Sequence, residues 1–332
     1  MKFLIAGAGA IGAYMGACMA RANLDVTLFA RGPHLRAMQE RGVRVKAADG
    51  DFEAHPKVAA SLEEVGPVDV VFLAVKAHSL PQLVPHLASV LGPETTVVST
   101  QNGIPWWFFQ GWGGEWQGMH LERVDPGGVI SGAIESRRVL ASIVYFSTEI
   151  IEPGVVLHNE GNRISLGEPD GSRSERSRRI AEALIASGLR APITTRMRHE
   201  IWVKVLGNAT FNPVSALTGA TLVQMARHPD VSELIRNMMR EAEEVGNKLG
   251  LELPVSIEQR IEGAAKVGEH KTSMLQDIEA GRPIELEAIV GALVELGQRL
   301  KVPMPHTETV YACAKLLGEQ AVAGKLKPRQ NG

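Results

Sequence analysis

Apolar and polar residues alternate differently in the two halves of the chain. Up to about residue 194, short apolar runs such as Phe3–Ala6 and Val68–Val75 alternate with helical patterns, which is typical of an α/β domain around a parallel sheet. From about residue 195, apolar residues recur at helical spacing almost to the C-terminus. We therefore predict an α/β domain over residues 1–194 and an all-helical domain over residues 195–332.

Glycines follow the first apolar run at the spacing G-x-G-x-x-G, in the order Gly7, Gly9 and Gly12. Gly7 permits a tight turn, Gly9 lets the backbone approach a pyrophosphate, and Gly12 lets helix and strand pack closely. The first helical residues, Ala10 and Ile11 together with Gly12, supply N–H groups and the positive end of the helix dipole to the phosphates. Because the motif lies between a strand and a helix, it predicts a Rossmann dinucleotide-binding domain.

The end of the second predicted strand indicates which dinucleotide binds. It reads Phe29-Ala30-Arg31, without the carboxylate that usually accepts hydrogen bonds from the ribose 2′-hydroxyl of NAD. An Arg side chain suits a 2′-phosphate, so NADP(H) is the expected cofactor. Lys76 follows the Val68–Val75 strand and could add a second cation near these phosphates. The alternative for both residues is an ordinary solvated surface position.

A further strand, Thr95–Thr100, is followed by Asn102 in the sequence Q-N-G. Asn-Gly is often only a turn, but its place after a parallel strand favours an amide that reaches the ligand crevice. An insert rich in Trp and Gly covers about residues 105–138. It is interpreted as a loop that packs its own aromatic residues, as a lid over a substrate, or as a partner surface.

The stretch 199–213 is predicted to be a helix with a buried apolar arc. Lys204, Asn208 and Asn212 are four residues apart and therefore lie on one line beside that arc. We expect Pro213 to end or kink the helix. The three polar side chains are either a Lys that extends to solvent and two Asn that satisfy nearby backbone, or a row directed at a small polar molecule.

Two more polar residues lie between the later helices. Ser273 is a plausible N-cap for a helix over Met274–Ala280. Glu285 follows a proline and precedes a long helix, so it could be a first-turn carboxylate that interacts with the helix dipole. Residue types alone do not distinguish these structural roles from functional ones.

Composition excludes several classes of protein. The net charge of −2 gives no case for nucleic acid or an anionic membrane as partner, and apolar and charged contents of 45% and 22% are ordinary for a globular enzyme. The two cysteines are expected to be reduced thiols, and no metal-binding motif occurs. The chain begins directly with a strand rather than a signal peptide, so a cytoplasmic protein is expected.

The chain resembles the ketopantoate reductases (2-dehydropantoate 2-reductases) of the 6-phosphogluconate dehydrogenase-like superfamily, over nearly its whole length. Each motif alone is unspecific, but their order is distinctive. The motifs are G-A-G-A-I-G at 7–12, A-R at 30–31, V-K-A at 75–77, Q-N-G at 101–103, W-V-K-V-L-G-N-A-T-F-N-P at 202–213, S-M-L-Q-D-I at 273–278 and R-P-I-E-L at 282–286. This resemblance implies a Rossmann domain, a helical domain and an active site in the cleft between them.

The resemblance also implies roles for individual residues. Lys204 matches the family's catalytic lysine and Glu285 its active-site glutamate. Arg31 and Lys76 match the pair that binds the 2′-phosphate of NADPH. The residues that hold the substrate in the family match Asn102, Asn208, Asn212 and Ser273. The resemblance also implies that Asn102 lies near the nicotinamide. A homodimer through the helical half is suggested by analogy alone.

Three functions remain open at the level of sequence. The first is NADPH-dependent reduction of a 2-oxo acid, with 2-dehydropantoate as first candidate and Lys204 as proton donor. The second is a paralogous reductase for a bulkier 2-oxo or hydroxy acid, suggested by the Trp-rich insert. The third, which lacks turnover, is an NADPH-binding regulatory protein. Glu285 would favour the charged form of Lys204 whereas desolvation would oppose it, and the sequence does not decide which effect is larger.

Overall fold

The computed structural model describes residues 1–325, which form two compact units. The last seven residues of the predicted helical domain, 326–332, lie outside the described residues. Unit 1 consists of Met1–Gln101, Pro105–His120 and Asp125–Met197. Unit 2 consists of Asn102–Ile104, Leu121–Val124 and the chain from Arg198 onward. Two short pieces of the first half of the chain thus belong to the helical unit.

Unit 1 is built on a sheet whose strands, within residues 1–325, follow the order β4-β3-β9-β8-β7-β6-β1-β2-β5. The strands are β1 (Lys2–Ala6), β2 (Asp25–Phe29), β3 (Val43–Ala47), β4 (Phe52–Ala54), β5 (Lys57–Ala59), β6 (Val68–Leu73), β7 (Leu91–Ser99), β8 (Val139–Glu152) and β9 (Val155–Gly167). Strand β1 pairs in parallel with β2 and β6, and β6 pairs in parallel with β7. The carboxyl ends of these four strands therefore share one edge of the sheet.

The sheet is completed by three further parallel pairs, β2 with β5, β7 with β8 and β3 with β9, and by two antiparallel pairs, β3 with β4 and β8 with β9. The dipeptide Asp49-Gly50, a sequence that favours a hairpin turn, connects β3 and β4. Strands β8 and β9 form a long antiparallel hairpin.

The helices of unit 1 are α1 (Ala10–Arg21), α2 (Gly32–Arg41), α3 (Leu80–Leu83), α4 (Val129–Ala133) and α5 (Glu175–Ala186). Helix α1 is buried along most of its length and belongs to the same apolar core as β1. Gly16 lets α1 approach β2, since a Cβ there would lie 2.2 Å from Leu28 Cδ2. This packing holds the N-terminus of α1 directly behind the glycine loop.

Unit 2 is helical. Its helices are α6 (Met197–Thr218), α7 (Leu222–Arg227), α8 (Pro229–Lys248), α9 (Ile257–Val267), α10 (Ser273–Glu279), α11 (Ala292–Leu300) and α12 (Pro305–Val322). A π-turn, Glu287–Gly291, leads into α11. Glu241 of α8 is buried and accepts hydrogen bonds from the backbone N–H groups of His306 and Thr307, which caps α12. No helix in the described part of the chain is long and apolar enough to cross a membrane.

Candidate active site

The glycine loop between β1 and α1 has the geometry that a dinucleotide site requires. Gly7 has φ +117°, and a Cβ there would lie 2.5 Å from Val75 Cγ1. A Cβ at Gly12 would lie 2.1 Å from the Gly7 carbonyl oxygen, so only glycine allows this packing. At Gly9, by contrast, no heavy atom lies within 4 Å of the Cβ position. The backbone is therefore open to a ligand at Gly9 and closed by protein at the other two glycines.

The first turn of α1 faces that open position. Gly9 is the N-cap, and Ala10, Ile11 and Gly12 begin the helix. The N–H groups of a first helical turn have no acceptor within the helix, and the helix dipole is positive at this end. No acidic side chain lies in this turn to oppose an anion. These features fit the diphosphate of a dinucleotide.

Arg31 and Lys76 follow the two strands that flank β1. Arg31 is exposed at the N-terminus of α2, and its guanidinium carbon lies 5.3 Å from the centre of the Phe29 ring. This cation–π contact limits the orientations of the side chain before a phosphate binds. Lys76 is half-buried. The strand before it, β6, ends at Leu73, two residues earlier than the predicted end at Val75.

In unit 2, α6 presents the predicted row of polar side chains. Asn212 is buried, whereas Lys204 and Asn208 keep part of their surface accessible. The apolar arc beside them is buried and consists of Ile201, Trp202, Val205, Leu206 and Ala209. Burial of this arc fixes the rotation of the helix and therefore the direction of the row.

Of the two outcomes expected at Pro213, an end or a kink of the helix, the first is wrong. Helix α6 continues to Thr218 with Pro213 inside it, although a proline in a helix interior costs about 3 kcal/mol. The next turn buries Val214, Ser215 and Ala216. We attribute the continuation to this burial, which offsets the lost backbone hydrogen bond. Asn212 therefore lies within the same continuous helix as Lys204.

Lys204 and Glu285 form the electrostatic centre of unit 2. Burial lowers the pKa of the Lys204 ammonium to about 8, and the nearby charge of Glu285 opposes this shift. Desolvation is the larger of the two effects. Lys204 thus exchanges its proton in the pH range in which enzymes operate, which an exposed lysine does not do.

Ser273 is not the N-cap of its helix. Thr272 has that role, because its hydroxyl oxygen accepts a hydrogen bond from the Leu275 N–H at 3.3 Å. Ser273 is the first residue of α10 and its side chain is exposed. The capping role that could have explained a serine here therefore belongs to its neighbour.

The segment Asn102–Ile104 lies against the π-turn. The Ile104 N–H donates to the Ala288 carbonyl oxygen at 2.9 Å. Gly103 has φ +90°, and a Cβ there would lie 2.2 Å from the same oxygen. Asn102 belongs to unit 2, and its neighbours Gly103 and Ile104 contact the π-turn that follows Glu285. The sequence does not indicate this contact, because it depends on a π-turn that no local pattern predicts.

The residues proposed from the sequence are thus divided between the two units. Gly7, Gly9, Ala10, Ile11, Gly12, Arg31 and Lys76 are in unit 1, and Asn102, Lys204, Asn208, Asn212, Ser273 and Glu285 are in unit 2. Among residues 1–325, no group of three or more His, Cys, Asp or Glu side chains is arranged to hold a metal ion.

The aromatic residues after Asn102 are mostly buried in unit 1. Trp107 donates from Nε1 to Ser99 Oγ at 2.7 Å, and the ring centres of Phe108 and Phe109 are 5.2 Å apart. The ring of Trp112 lies 5.1 Å from that of Phe109. This arrangement supports the interpretation of a loop that packs its own aromatic side chains.

Comparisons with known proteins show which family the chain resembles. Residues 3–106 match the family "Ketopantoate reductase PanE/ApbA", and residues 196–318 match its C-terminal domain. A 2-dehydropantoate 2-reductase from Mesorhizobium japonicum is 48% identical over 96% of this chain and 98% of its own length. A 2-dehydropantoate 2-reductase from Archaeoglobus fulgidus is 30% identical over 92% of this chain and 94% of its own.

Solved structures share the fold. A 2-dehydropantoate 2-reductase from Methylococcus capsulatus has a TM-score of 0.81 and 29% identity, over 97% of this chain and 98% of that one. The fold and the relatives define an oxidoreductase. Within that class, the chain belongs to the ketopantoate reductase family.

Proposed function

We propose that this protein reduces a 2-oxo acid to the 2-hydroxy acid with NADPH, and that 2-dehydropantoate is the substrate. The observation that carries the proposal is Lys204, whose pKa is lowered to about 8 beside the carboxylate of Glu285. A general acid is most effective when its pKa is near the operating pH. Family membership supplies the reaction class, and the names of the relatives suggest the substrate. A role in pantothenate biosynthesis is part of the same proposal.

The reaction needs a proton donor because negative charge develops on the ketone oxygen. Bound NADPH supplies the hydride. In the proposal, the Lys204 ammonium donates a hydrogen bond to that oxygen and then transfers its proton, so the product is a neutral hydroxyl group. Glu285 favours the protonated state of Lys204 against the desolvation that opposes it.

Neutral polar side chains are assigned to substrate binding. Asn208 and Asn212 share the line of Lys204 on α6, at intervals of about 6 Å along the helix axis. Their amides, together with Asn102 and the exposed hydroxyl of Ser273, can bind a carboxylate or a hydroxyl group without adding net charge to the site.

Replacement of Lys204 tests the proposed proton donor. Lys204→Ala should lower kcat for reduction by about 10²–10⁴-fold, while the affinity for NADPH, measured by fluorescence titration, stays unchanged. Lys266, an exposed lysine of α9, provides the matched control, because Lys266→Ala removes a cation from the same unit. Full turnover in Lys204→Ala would exclude the proposed mechanism.

The substrate is tested by NADPH oxidation with a panel of 2-oxo acids. The panel contains 2-dehydropantoate, smaller aliphatic analogues and aromatic 2-oxo acids. The highest kcat/KM is expected for 2-dehydropantoate. A higher value for an aromatic acid would assign the protein to the second candidate function, a reductase for bulkier substrates.

Arg31 carries the proposed preference for NADPH. Neither Ala30 nor Arg31, the two residues after β2, is acidic, and the Arg31 guanidinium carbon lies 5.3 Å from the centre of the Phe29 ring. A guanidinium at this place suits a 2′-phosphate. Arg31→Ala should raise the Kd for NADPH by about 10-fold or more, as expected for a lost charge-assisted hydrogen bond, and leave the Kd for NADH nearly unchanged. Equal losses for both cofactors would contradict the assignment.

A further inference from the structure

The π-turn Glu287–Gly291 is connected to two residues of the proposed site. The Ile289 N–H, inside the turn, donates to the backbone carbonyl oxygen of Glu285 at 3.3 Å. The Ala288 carbonyl oxygen accepts from Ile104, two residues after Asn102. One turn of helix therefore holds the backbone on which Glu285 and Asn102 are placed. Isolated π-turns occur frequently at functional sites.

The side chain of Glu287 fixes this turn to its surroundings. The Tyr311 hydroxyl donates to both carboxylate oxygens, at 2.8 and 2.9 Å, and Arg123 Nη1 lies 3.2 Å from Oε2. Lys315 Nζ lies 3.8 Å from Oε1. The carboxylate also lies across Gly291, where a Cβ would be 2.5 Å from Oε2. Glycine at position 291 therefore leaves room for the Glu287 carboxylate against the turn.

The partners of Glu287 are themselves held in place. Glu295 accepts hydrogen bonds from the backbone N–H groups of Glu122 and Arg123, at 3.0 and 2.9 Å. Burial and the contact with Glu287 raise the pKa of Tyr311 to about 12, so its hydroxyl remains a donor. Arg123, Tyr311 and Lys315 are the titratable groups that contact Glu287 in these elements. None of them belongs to the proposed substrate site.

We propose that Glu287 is a positioning residue for the reduction. By anchoring the π-turn to Tyr311 and Arg123, it holds Glu285 beside Lys204. This inference rests on the proposed function, since it matters to the reaction only if Lys204 is the proton donor. Glu287 itself does not contact substrate in this proposal and acts only through Glu285.

The pKa of Lys204 is the measurement that reports this action. Glu285 raises it, so a displacement of Glu285 away from Lys204 should lower it further. Competitive labelling of lysines with acetic anhydride across pH, followed by mass spectrometry, gives the pKa of Lys204 without turnover or cofactor. A merely structural role of Glu287 would change the melting temperature and leave this pKa unchanged.

The variants are chosen to separate a positional effect from a direct electrostatic one. Glu287→Ala should lower the pKa of Lys204 by about one unit. Glu287→Gln should shift it much less, because the amide oxygen still accepts from Tyr311 and fills the space over Gly291. In a Glu285→Gln background, Glu287→Ala should cause no further shift, because the two changes act through one carboxylate. Glu319→Gln, on the exposed face of α12, is the matched control.

Two results would overturn the inference. One is a pKa of Lys204 in Glu287→Ala equal to that of the unaltered protein. The other is a shift that persists in the Glu285→Gln background, which would show direct interaction between Glu287 and Lys204. If Glu287→Ala does not fold, Tyr311→Phe removes only one hydroxyl and should shift the pKa in the same direction. Failure of the proposed function would be seen separately, as full turnover in Lys204→Ala.

Discussion

Two opposing effects set the pKa of the Lys204 side chain: desolvation of the ammonium and the nearby charge of Glu285. A lysine beside a glutamate would ordinarily have a raised pKa, but desolvation outweighs the carboxylate and lowers the pKa to about 8. An amine with this pKa is a stronger acid than a surface lysine, yet it is mostly protonated at pH 7. Burial beside the apolar arc of α6 thus changes the chemistry of the side chain.

This pKa predicts the pH dependence of the reaction. Reduction needs protonated Lys204, so kcat should be constant below about pH 7 and fall as the pH rises through about 8. Oxidation of the hydroxy acid needs neutral Lys204 and should instead increase through the same range. Stopped-flow rates in both directions provide the measurement. A reduction rate that is unchanged from pH 7 to pH 10 would show that another group donates the proton.

At the scale of elements, the contact between Asn102–Ile104 and the π-turn depends on a residue without a side chain. Gly103 combines a positive φ with an approach that leaves no room for Cβ. Pro213 and Thr272 show the same dependence on surroundings: one lies inside a helix that burial extends, and the other takes the capping role expected of Ser273. At Pro213 and Thr272 the surrounding structure, rather than the local sequence preference, determines the observed conformation.

Gly103→Ala tests the contact with the π-turn. Left-handed strain of about 1–2 kcal/mol and the clash with Ala288 should lower the melting temperature, and kcat should fall because Asn102 is displaced. Gly113 provides a matched control, since it has φ +80° and no heavy atom within 4 Å of its Cβ position. Gly113→Ala should show the strain without the clash. Equal effects in the two variants would indicate that the contact has no influence on activity.

At the scale of the whole molecule, the sequence predicts features that arise from local patterns. The glycine motif, the hairpin at Asp49-Gly50 and the buried arc of α6 can be predicted because each depends on nearby residues. The long hairpin of β8 and β9, the π-turn and the assignment of Asn102–Ile104 to the helical unit could not be predicted. The length of the hairpin and the form of the π-turn depend on how these segments pack in the fold, and the bond from Ile104 to Ala288 joins residues far apart in the chain.

The discontinuity of unit 2 has a consequence for how the protein is made. Asn102–Ile104 and Leu121–Val124 leave the ribosome long before their partners, which lie in the π-turn, in α11 and in α12. Until synthesis reaches the π-turn, the Ile104 amide has no Ala288 carbonyl to bind, and Asn102 is not held in place. Domains generally fold in the order of their synthesis. The proposed substrate site is therefore completed only in the last stage of translation, after the nucleotide-binding sequence has been made.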